Sequence, residues 1–306
     1  MTPPPRPQPL LGAASPLTAD VVSGPVRRAL VLARFGTALY LSVGASSEVL
    51  PVVTADALLL PTSVRLPLRS DALRWGVDPG DTVLVGGSAL RLGDHEVRVV
   101  RTWRPSRVGR GPATTPAHRM ATLAGELASA AAGAAGTTAA AVVSGRGLAG
   151  SSAAVARAAL AGSADLVRAR VHEMVGQGAG LTPSGDDALC AVLLVLRGAG
   201  AERAHALVDA AVRAAAHRTT SLSASLLQAA AQGYAVPALA HLVSAVLGDD
   251  PVTRGPALAA VLAIGSSSGR DLVAGVAGAL RVLATAPAPS VPPSVAVRQP
   301  VGRGNP

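Results

Sequence analysis

The chain reads as an α+β protein, with an N-terminal β-rich domain (a barrel or a sandwich) followed by a larger, Ala-rich helical domain. Three observations predict this. Between residues of about 20 and 105, short apolar runs recur at close spacing and are punctuated by Pro and Gly, as in small barrels and sandwiches. From Ala117 onward, apolar residues recur three and four apart, the spacing of amphipathic helices. Aromatics make up only 2% of a chain that is 49% apolar, so the core must be built from Ala, Val and Leu, a supply that suits close-packed helices.

Taken in order, residues 1–18 are rich in Pro, Ala and Ser without periodic pattern and read as a disordered tail, as do residues 286–306. The β-rich domain spans 19–104. Ala29 to Val43 is strand-like with one Gly interruption, and Val49 to Thr54, Ala57 to Leu60 and Val64 to Leu68 are short runs broken by Pro51, Pro61 and Pro67. Asp78-Pro-Gly-Asp81 is a turn. Thr82 to Val85, Ala89 to Leu92 and Glu96 to Trp103 follow, with Gly86-Gly87 and Gly93-Asp94 as hairpin signals. Residues 105–116, rich in Pro and Arg, form the linker, and their Arg side chains read as solvated. The helical domain covers 117–285. Helical spacing is carried by Met120, Leu123 and Leu127; by Val167, Val171, Met174 and Val175; by Leu207, Val208, Ala211 and Val212; by Leu222, Leu226 and Leu227; by Leu239, Leu242, Val243 and Val246; and by Leu272, Val276, Leu280 and Leu283. Gly133, Gly136 and Gly145 to Gly150 are read as breaks in the first part of this domain.

The bulk numbers bound the function. The formal charge is +9, all 27 basic residues are Arg, and the five aromatics are too few to serve as stacking platforms, so nucleic acid is not an expected partner. Arg does suit bidentate binding of carboxylate and phosphate. The one cysteine, Cys190, lies in an apolar run and reads as a small buried hydrophobe. The Pro-rich start carries no apolar leader and no run approaches the ~20 residues of a membrane span. A cytoplasmic protein without membrane contact is the expectation.

Three stretches offer chemistry. The first is Gly176-Gln-Gly-Ala-Gly180-Leu-Thr-Pro-Ser-Gly-Asp-Asp187, a glycine-rich turn that opens a helix. Thr182 or Ser184 is placed to cap that helix, and Ser184 to Asp187 fits a capping box with Asp in place of Glu. Ala188 to Leu196 behind it has no polar side chain, so the helix should be buried on every face. Free amides and the positive end of the helix dipole would bind phosphate or carboxylate. Asp186 and Asp187 would cap, hold an Arg, or ligate a Mg²⁺ that bridges to phosphate. A helix precedes the glycines where a dinucleotide loop needs a strand, and there is no Lys for a Walker motif. The second stretch, Ser268-Gly-Arg-Asp271, repeats the Ser-Gly-x-Asp of Ser184 to Asp187 at the head of another Ala/Gly-rich helix, and small residues Ala274, Gly275 and Gly278 would let the two helices close up. The third, His217-Arg-Thr-Thr-Ser221, offers hydroxyls at Thr219 and Thr220 and a cation at Arg218. For each stretch, simple capping is the competing explanation. His95, His118, His172, His205 and His241 occur singly and carry no metal-ligand spacing; His172 is the nearest to the first stretch.

Together, Gly180-Leu-Thr-Pro-Ser-Gly-Asp-Asp187, the Thr219-Thr220 pair with Leu226-Leu227 after it, and Ala263-Ile-Gly-Ser-Ser-Ser-Gly-x-Asp271-Leu resemble the signature of the AllH-like family, named after a subunit of the oxamate carbamoyltransferase of allantoin degradation. Ala188 stands where that family often has an aromatic, and Ser266-Ser267 where it often has His-Thr. The resemblance implies a cytoplasmic subunit of a hetero-oligomeric enzyme that moves a carbamoyl group between oxalurate or oxamate and phosphate, with carbamoyl phosphate as the other partner. It implies that amides near Ser184 to Asp186, including Gly185, hold one anion together with Gly180 and Thr182. Arg218, Thr219 and Thr220 would contact the other anion, and Ser268 and Gly269 would complete the cradle. Asp186, Asp187 and Asp271 are then the catalytic carboxylates, Asp187 being the ligand if Mg²⁺ is bound. The alternative is a non-catalytic anion-binding or scaffold subunit.

Overall fold

The computed structural model describes residues 9–44, 48–133 and 139–286. The front part forms a closed barrel of β1 (Leu10–Ala14), β2 (Arg27–Arg34), β3 (Ala38–Val43), β4 (Glu48–Val53), β5 (Val64–Arg65), β6 (Thr82–Gly86), β7 (Ala89–Leu92) and β8 (His95–Thr102), ordered β1-β5-β4-β3-β2-β6-β7-β8. Of the two expected β architectures, the barrel is the one formed. Antiparallel hairpins make most of it, and β1 closes it by pairing antiparallel with β5 and parallel with β8. The expected tail over residues 1–18 is therefore corrected: Leu10–Ala14 is a barrel strand, Thr18 is buried, and the short α1 (Ala19–Ser23) packs against β6 and β7. Residues 1–8 and 287–306, and Gly136, lie outside the described residues. Ala57–Leu60, expected as a strand, is loop. Its Leu60 still reaches the core of the helical part.

Alternation of side chains places Leu39, Leu41 and Val43 of β3 inside the barrel and leaves Tyr40 pointing out. β4 breaks the alternation, for Val49 to Val53 are all buried. The inner face fills the barrel, and the outer face is covered by a helix, α7 (Ser221–Ala231).

The helical part comprises α2 (Ala117–Gly133), α3 (Ala139–Leu160), α4 (Ala164–Met174), α5 (Ser184–Gly198), α6 (Glu202–Ala215), α7, α8 (Pro237–Leu247), α9 (Pro251–Leu262) and α10 (Ser268–Leu283). Gly145, Gly147 and Gly150, expected as breaks, lie inside α3. The centre is α5, in which every residue from Gly185 to Arg197 is buried, as its unbroken apolar run predicts. Its Leu189, Leu193, Leu194 and Leu196 are fully buried, each stabilising the fold by about 1.5–3 kcal/mol. α10 lies against α5 and α3 because it presents glycine. A Cβ on Gly275 would sit 2.4 Å from the Ala188 carbonyl oxygen of α5, and one on Gly278 2.4 Å from that of Ala149 in α3. Residues 105–116 lie along these helices. The Val108 amide donates to the Gly233 carbonyl at 2.9 Å, Thr115 Oγ1 donates to the Val246 carbonyl at 2.8 Å, and the Arg107 guanidinium stands over the Tyr234 ring at 5.0 Å. Arg107 is thus in contact with the helical part rather than a charge with only water around it. No helix of the described residues is long and apolar enough to cross a membrane.

Candidate functional site

The three polar stretches converge where α5, α7 and α10 begin. Asp186, in the first turn of α5, is buried and turned back into the protein, where it accepts from the Gly176 amide at 2.9 Å and from the Thr219 hydroxyl. It thereby ties the loop before α5 to the loop before α7. Thr220 adds a second tie: its hydroxyl donates to the Leu181 carbonyl at 2.6 Å and accepts from the Ser223 amide at 3.1 Å, capping α7. The third stretch joins through Thr182, whose Oγ1 lies 3.0 Å from Ser268 Oγ.

Thr182 is therefore not the cap of α5. Pro183 takes the cap position with no side-chain bond, and Ser184 is the first helical residue. Most amides of the expected cradle are engaged within the fold. The Gly185 amide donates to the Gln177 carbonyl at 2.9 Å, and those of Asp186 and Asp187 to the Pro183 carbonyl at 2.9 and 3.2 Å. At the other head, Gly269 donates to Ile264, and Arg270 and Asp271 to Ser267, at 3.0, 2.9 and 3.1 Å. These amides already have acceptors and are closed to an anion. Gly185 and Gly269 serve packing instead: a Cβ would stand 2.0 Å from the Met174 carbonyl oxygen in one case and 2.1 Å from that of Val261 in the other. Gly180 is exposed with open space around it, and the exposed Arg218 side chain lines neither cavity described below. The exposed His172 stands outside the site as well.

Two cavities flank α7. The smaller, about 210 Å³, lies between the heads of α5 and α10, the α7–α8 region and the outside of the barrel. Thr182, Asp187 and Ser268 are its polar groups, with Cys190 deeper along α5; Leu222, Leu226, Leu239 and Ile264 form its helical wall, and Tyr40, Leu58, Leu60 and Pro61 close it from the barrel side. The larger cleft, about 790 Å³, lies across α7 and is polar: Glu48 and Thr62 of the barrel face Asp209, Arg213, His217 and Thr219. Arg213 is paired there with Asp209 at 2.7 Å.

Electrostatically, Asp187 is the unusual group. Burial pushes its carboxyl up to about 8; the hydroxyl of Ser268 opposes the rise, the neighbouring Asp271 and Asp186 charges add to it, and Thr182 opposes it weakly. It is 6% exposed, and its Oδ2 has no hydrogen-bond partner. Asp271 is raised too, chiefly by burial, against the hydroxyls of Ser184 and Ser267. The two heads thus face each other reciprocally, Asp187 toward Ser268 and Asp271 toward Ser184. Cys190 is pushed well up by burial and by the Asp187 and Asp186 charges, which suits an inert thiol. Among the described residues no group of three or more His, Cys, Asp or Glu is arranged to hold a metal ion. Asp186 is already engaged with Gly176 and Thr219, so the residues present do not form a ready Mg²⁺ site around Asp187.

Sequence reading missed Tyr40, Tyr234 and the Leu58–Pro61 loop. A signal was available: the chain has only two Tyr, and both line the small pocket.

Residues 174–280 match the family model described as oxamate carbamoyltransferase subunit AllH. The matched span runs from the end of α4 into α10 and contains all three converging stretches, in agreement with the resemblance read from the motifs. No solved structure matches the chain.

Proposed function

We propose that this chain is a subunit of a carbamoyl-transferring enzyme of the oxamate carbamoyltransferase type, and that the pocket between the α5 and α10 heads receives the carbamoyl or ureido group. The supporting observation is Asp187: a buried carboxyl lining a pocket that opens to solvent on one side, pushed up to about 8, with one oxygen lacking a partner. A strongly shifted acid in a cleft is the physical mark of a proton-transfer group.

In the reaction that the resemblance implies, oxalurate and phosphate give oxamate and carbamoyl phosphate. A phosphate oxygen attacks the carbamoyl carbon, and the bond from that carbon to the oxamate nitrogen breaks. The leaving nitrogen takes the Asp187 proton, and the hydrogen of the attacking hydrogenphosphate restores it, so the enzyme ends as it began. Negative charge that develops on the carbamoyl oxygen is met by the Thr182 and Ser268 hydroxyls. Asp186, Thr219 and Thr220 hold the loops in register rather than touching substrate. No step in this scheme uses a metal.

The test is reconstitution. The chain is combined with its partner subunits and oxamate release from oxalurate and phosphate is followed, for the parent and for Asp187→Asn. Loss of about 10²–10⁴ in turnover with the assembly intact by gel filtration is the expected result. Unchanged turnover in an intact assembly would assign the chain to scaffolding or anion binding instead.

A further inference from the structure

Beyond its polar end, the small pocket has apolar walls that oxalurate would leave unfilled. Its walls are Leu222, Leu226, Leu239 and Ile264 with Tyr40 and Tyr234, and no Arg or His is among its lining residues. The acidic side chains near it are Asp186, Asp187 and Asp271; the one cation at this head, Arg270, acts on Asp271 and is not among the lining residues. A carboxylate set against those walls meets no cationic lining residue to pair with. Arg213 and His217 line the larger cleft, on the far side of α7. The volume, about 210 Å³, exceeds the roughly 150 Å³ of an apolar cavity that accommodates benzene. Oxamate has no apolar atoms to set against such walls.

We infer that the pocket takes an uncharged ureido or amide compound with an apolar body of about the size of a substituted benzene ring, its polar end bonded to Asp187, Thr182 and Ser268. The unpartnered, buried Asp187 Oδ2 is the group such a ligand would satisfy. The inference rests on the reading of this pocket as the ureido site and replaces oxalurate as its donor with an uncharged ureido compound. Burial supports it, since a carboxyl pushed up to about 8 is neutral at pH 7 and bonds a neutral amide without an ionic partner. The groups that face Asp187 are Asp186 and Cys190 from its own helix, Asp271 and Ser268 from α10, and Thr182 from the loop, with Tyr40 and Tyr234 lining the same pocket.

Binding to the full chain, alone and in the reconstituted assembly, is measured by calorimetry with three probes: phenylurea, oxalurate and benzylamine. The expected result is that phenylurea binds at least about tenfold more tightly than oxalurate, and more weakly as pH rises past 8. Leu58→Arg places a cation at the pocket mouth, where Leu58 is 44% exposed and free to change without unfolding. It should weaken phenylurea about tenfold with an unchanged thermal melt. Oxalurate binding as tightly as phenylurea, benzylamine binding best above pH 8, phenylurea binding indifferent to Leu58→Arg, or no binding of any probe would each overturn the inference. The carbamoyl-transfer reading fails separately: oxalurate turnover without phenylurea binding leaves that reading standing, whereas phenylurea binding without transfer from any ureido donor overturns it alone.

Discussion

Replacing Asp187 by Asn should make the protein more stable at neutral and alkaline pH. The ordinary carboxyl value is 3.8, and in the fold that of Asp187 is pushed up to about 8, mainly by burial. Between those values the folded chain holds a proton that the unfolded chain gives up, so stability falls as pH rises. Each pH unit in that window costs about 1.4 kcal/mol. The penalty is on the order of 4 kcal/mol at pH 7, reaches its full size above pH 8, and vanishes below pH 4, where both states are protonated. Asn keeps the shape and is neutral throughout; imperfect pairing with Ser268 and Thr182 would take back about 1 kcal/mol. The net expectation is a gain of about 4 kcal/mol near pH 8, shrinking to none or a slight loss near pH 4. Urea titrations of both proteins across that range, with m-values compared to confirm that the same transition is measured, give the answer. A variant less stable than the parent near pH 8, or a gain that does not change with pH, would refute the account. The expected result would also mean that Asp187 is kept at a cost to the fold, as functional groups often are.

Other outcomes follow from packing and hydrogen bonding. Gly275→Ala should destabilise although Ala is the better helix former by about 1 kcal/mol, because its Cβ would meet the Ala188 carbonyl oxygen at 2.4 Å. Overpacking of about 1–3 kcal/mol outweighs the propensity, and thermal melting reads the sign. Thr219→Val leaves the buried Asp186 without its hydroxyl donor and should cost about 1–3 kcal/mol by denaturant titration, with Thr219→Ser restoring most of it. Thr220→Ala removes the cap of α7, with a loss of about 1 kcal/mol that Thr220→Ser should largely avoid.

Fold class was legible because period carried it. Residues 27–53 alternate or run apolar between turn residues, and the α5 run from Ala188 to Leu196 has no polar face to expose, so burial follows without further information. Closure of the barrel was not legible. Leu10–Ala14 is short, contains Gly12 and follows a Pro-rich start, and only its pairing with β5 and β8 makes it a strand. At the site, the motifs identified the segments that meet, since Ser-Gly-x-Asp occurs at two helix heads. Their chemistry was less legible. Whether a helix-start amide is open depends on the preceding loop, and Gln177, Pro183, Ile264 and Ser267 happen to supply acceptors. The sign of the pocket likewise depends on which side of α7 each Arg falls, and that is set by tertiary packing.

The likeness of the two heads also decides which Ser–Asp pair can act. Each consists of a helix end, a short loop and Ser-Gly-x-Asp, and in each the Gly lets a preceding carbonyl approach to about 2 Å of a would-be Cβ. They differ at x. Asp186 draws the loop before α5 down through Gly176 and joins it to Thr219, whereas Arg270 turns back to the Ser266 carbonyl of its own loop. Drawn down, the first loop runs close against its own Ser, although Ser184 and Ser268 are both half-buried. Gly178, at φ +117, passes so close to Ser184 that a Cβ there would lie 2.7 Å from the Ser184 nitrogen. Ser184 and Asp271 are absent from the pocket wall, while Ser268 and Asp187 are on it. Asp271, expected to be catalytic, lies off the pocket wall and is bonded to Ser184 of the α5 head; on the proposed reading it acts as a positioning residue while Asp187 lines the pocket. Asp271→Asn should therefore change binding in the pocket far less than Asp187→Asn, and equal losses from the two would show that the reciprocal pair acts as one unit.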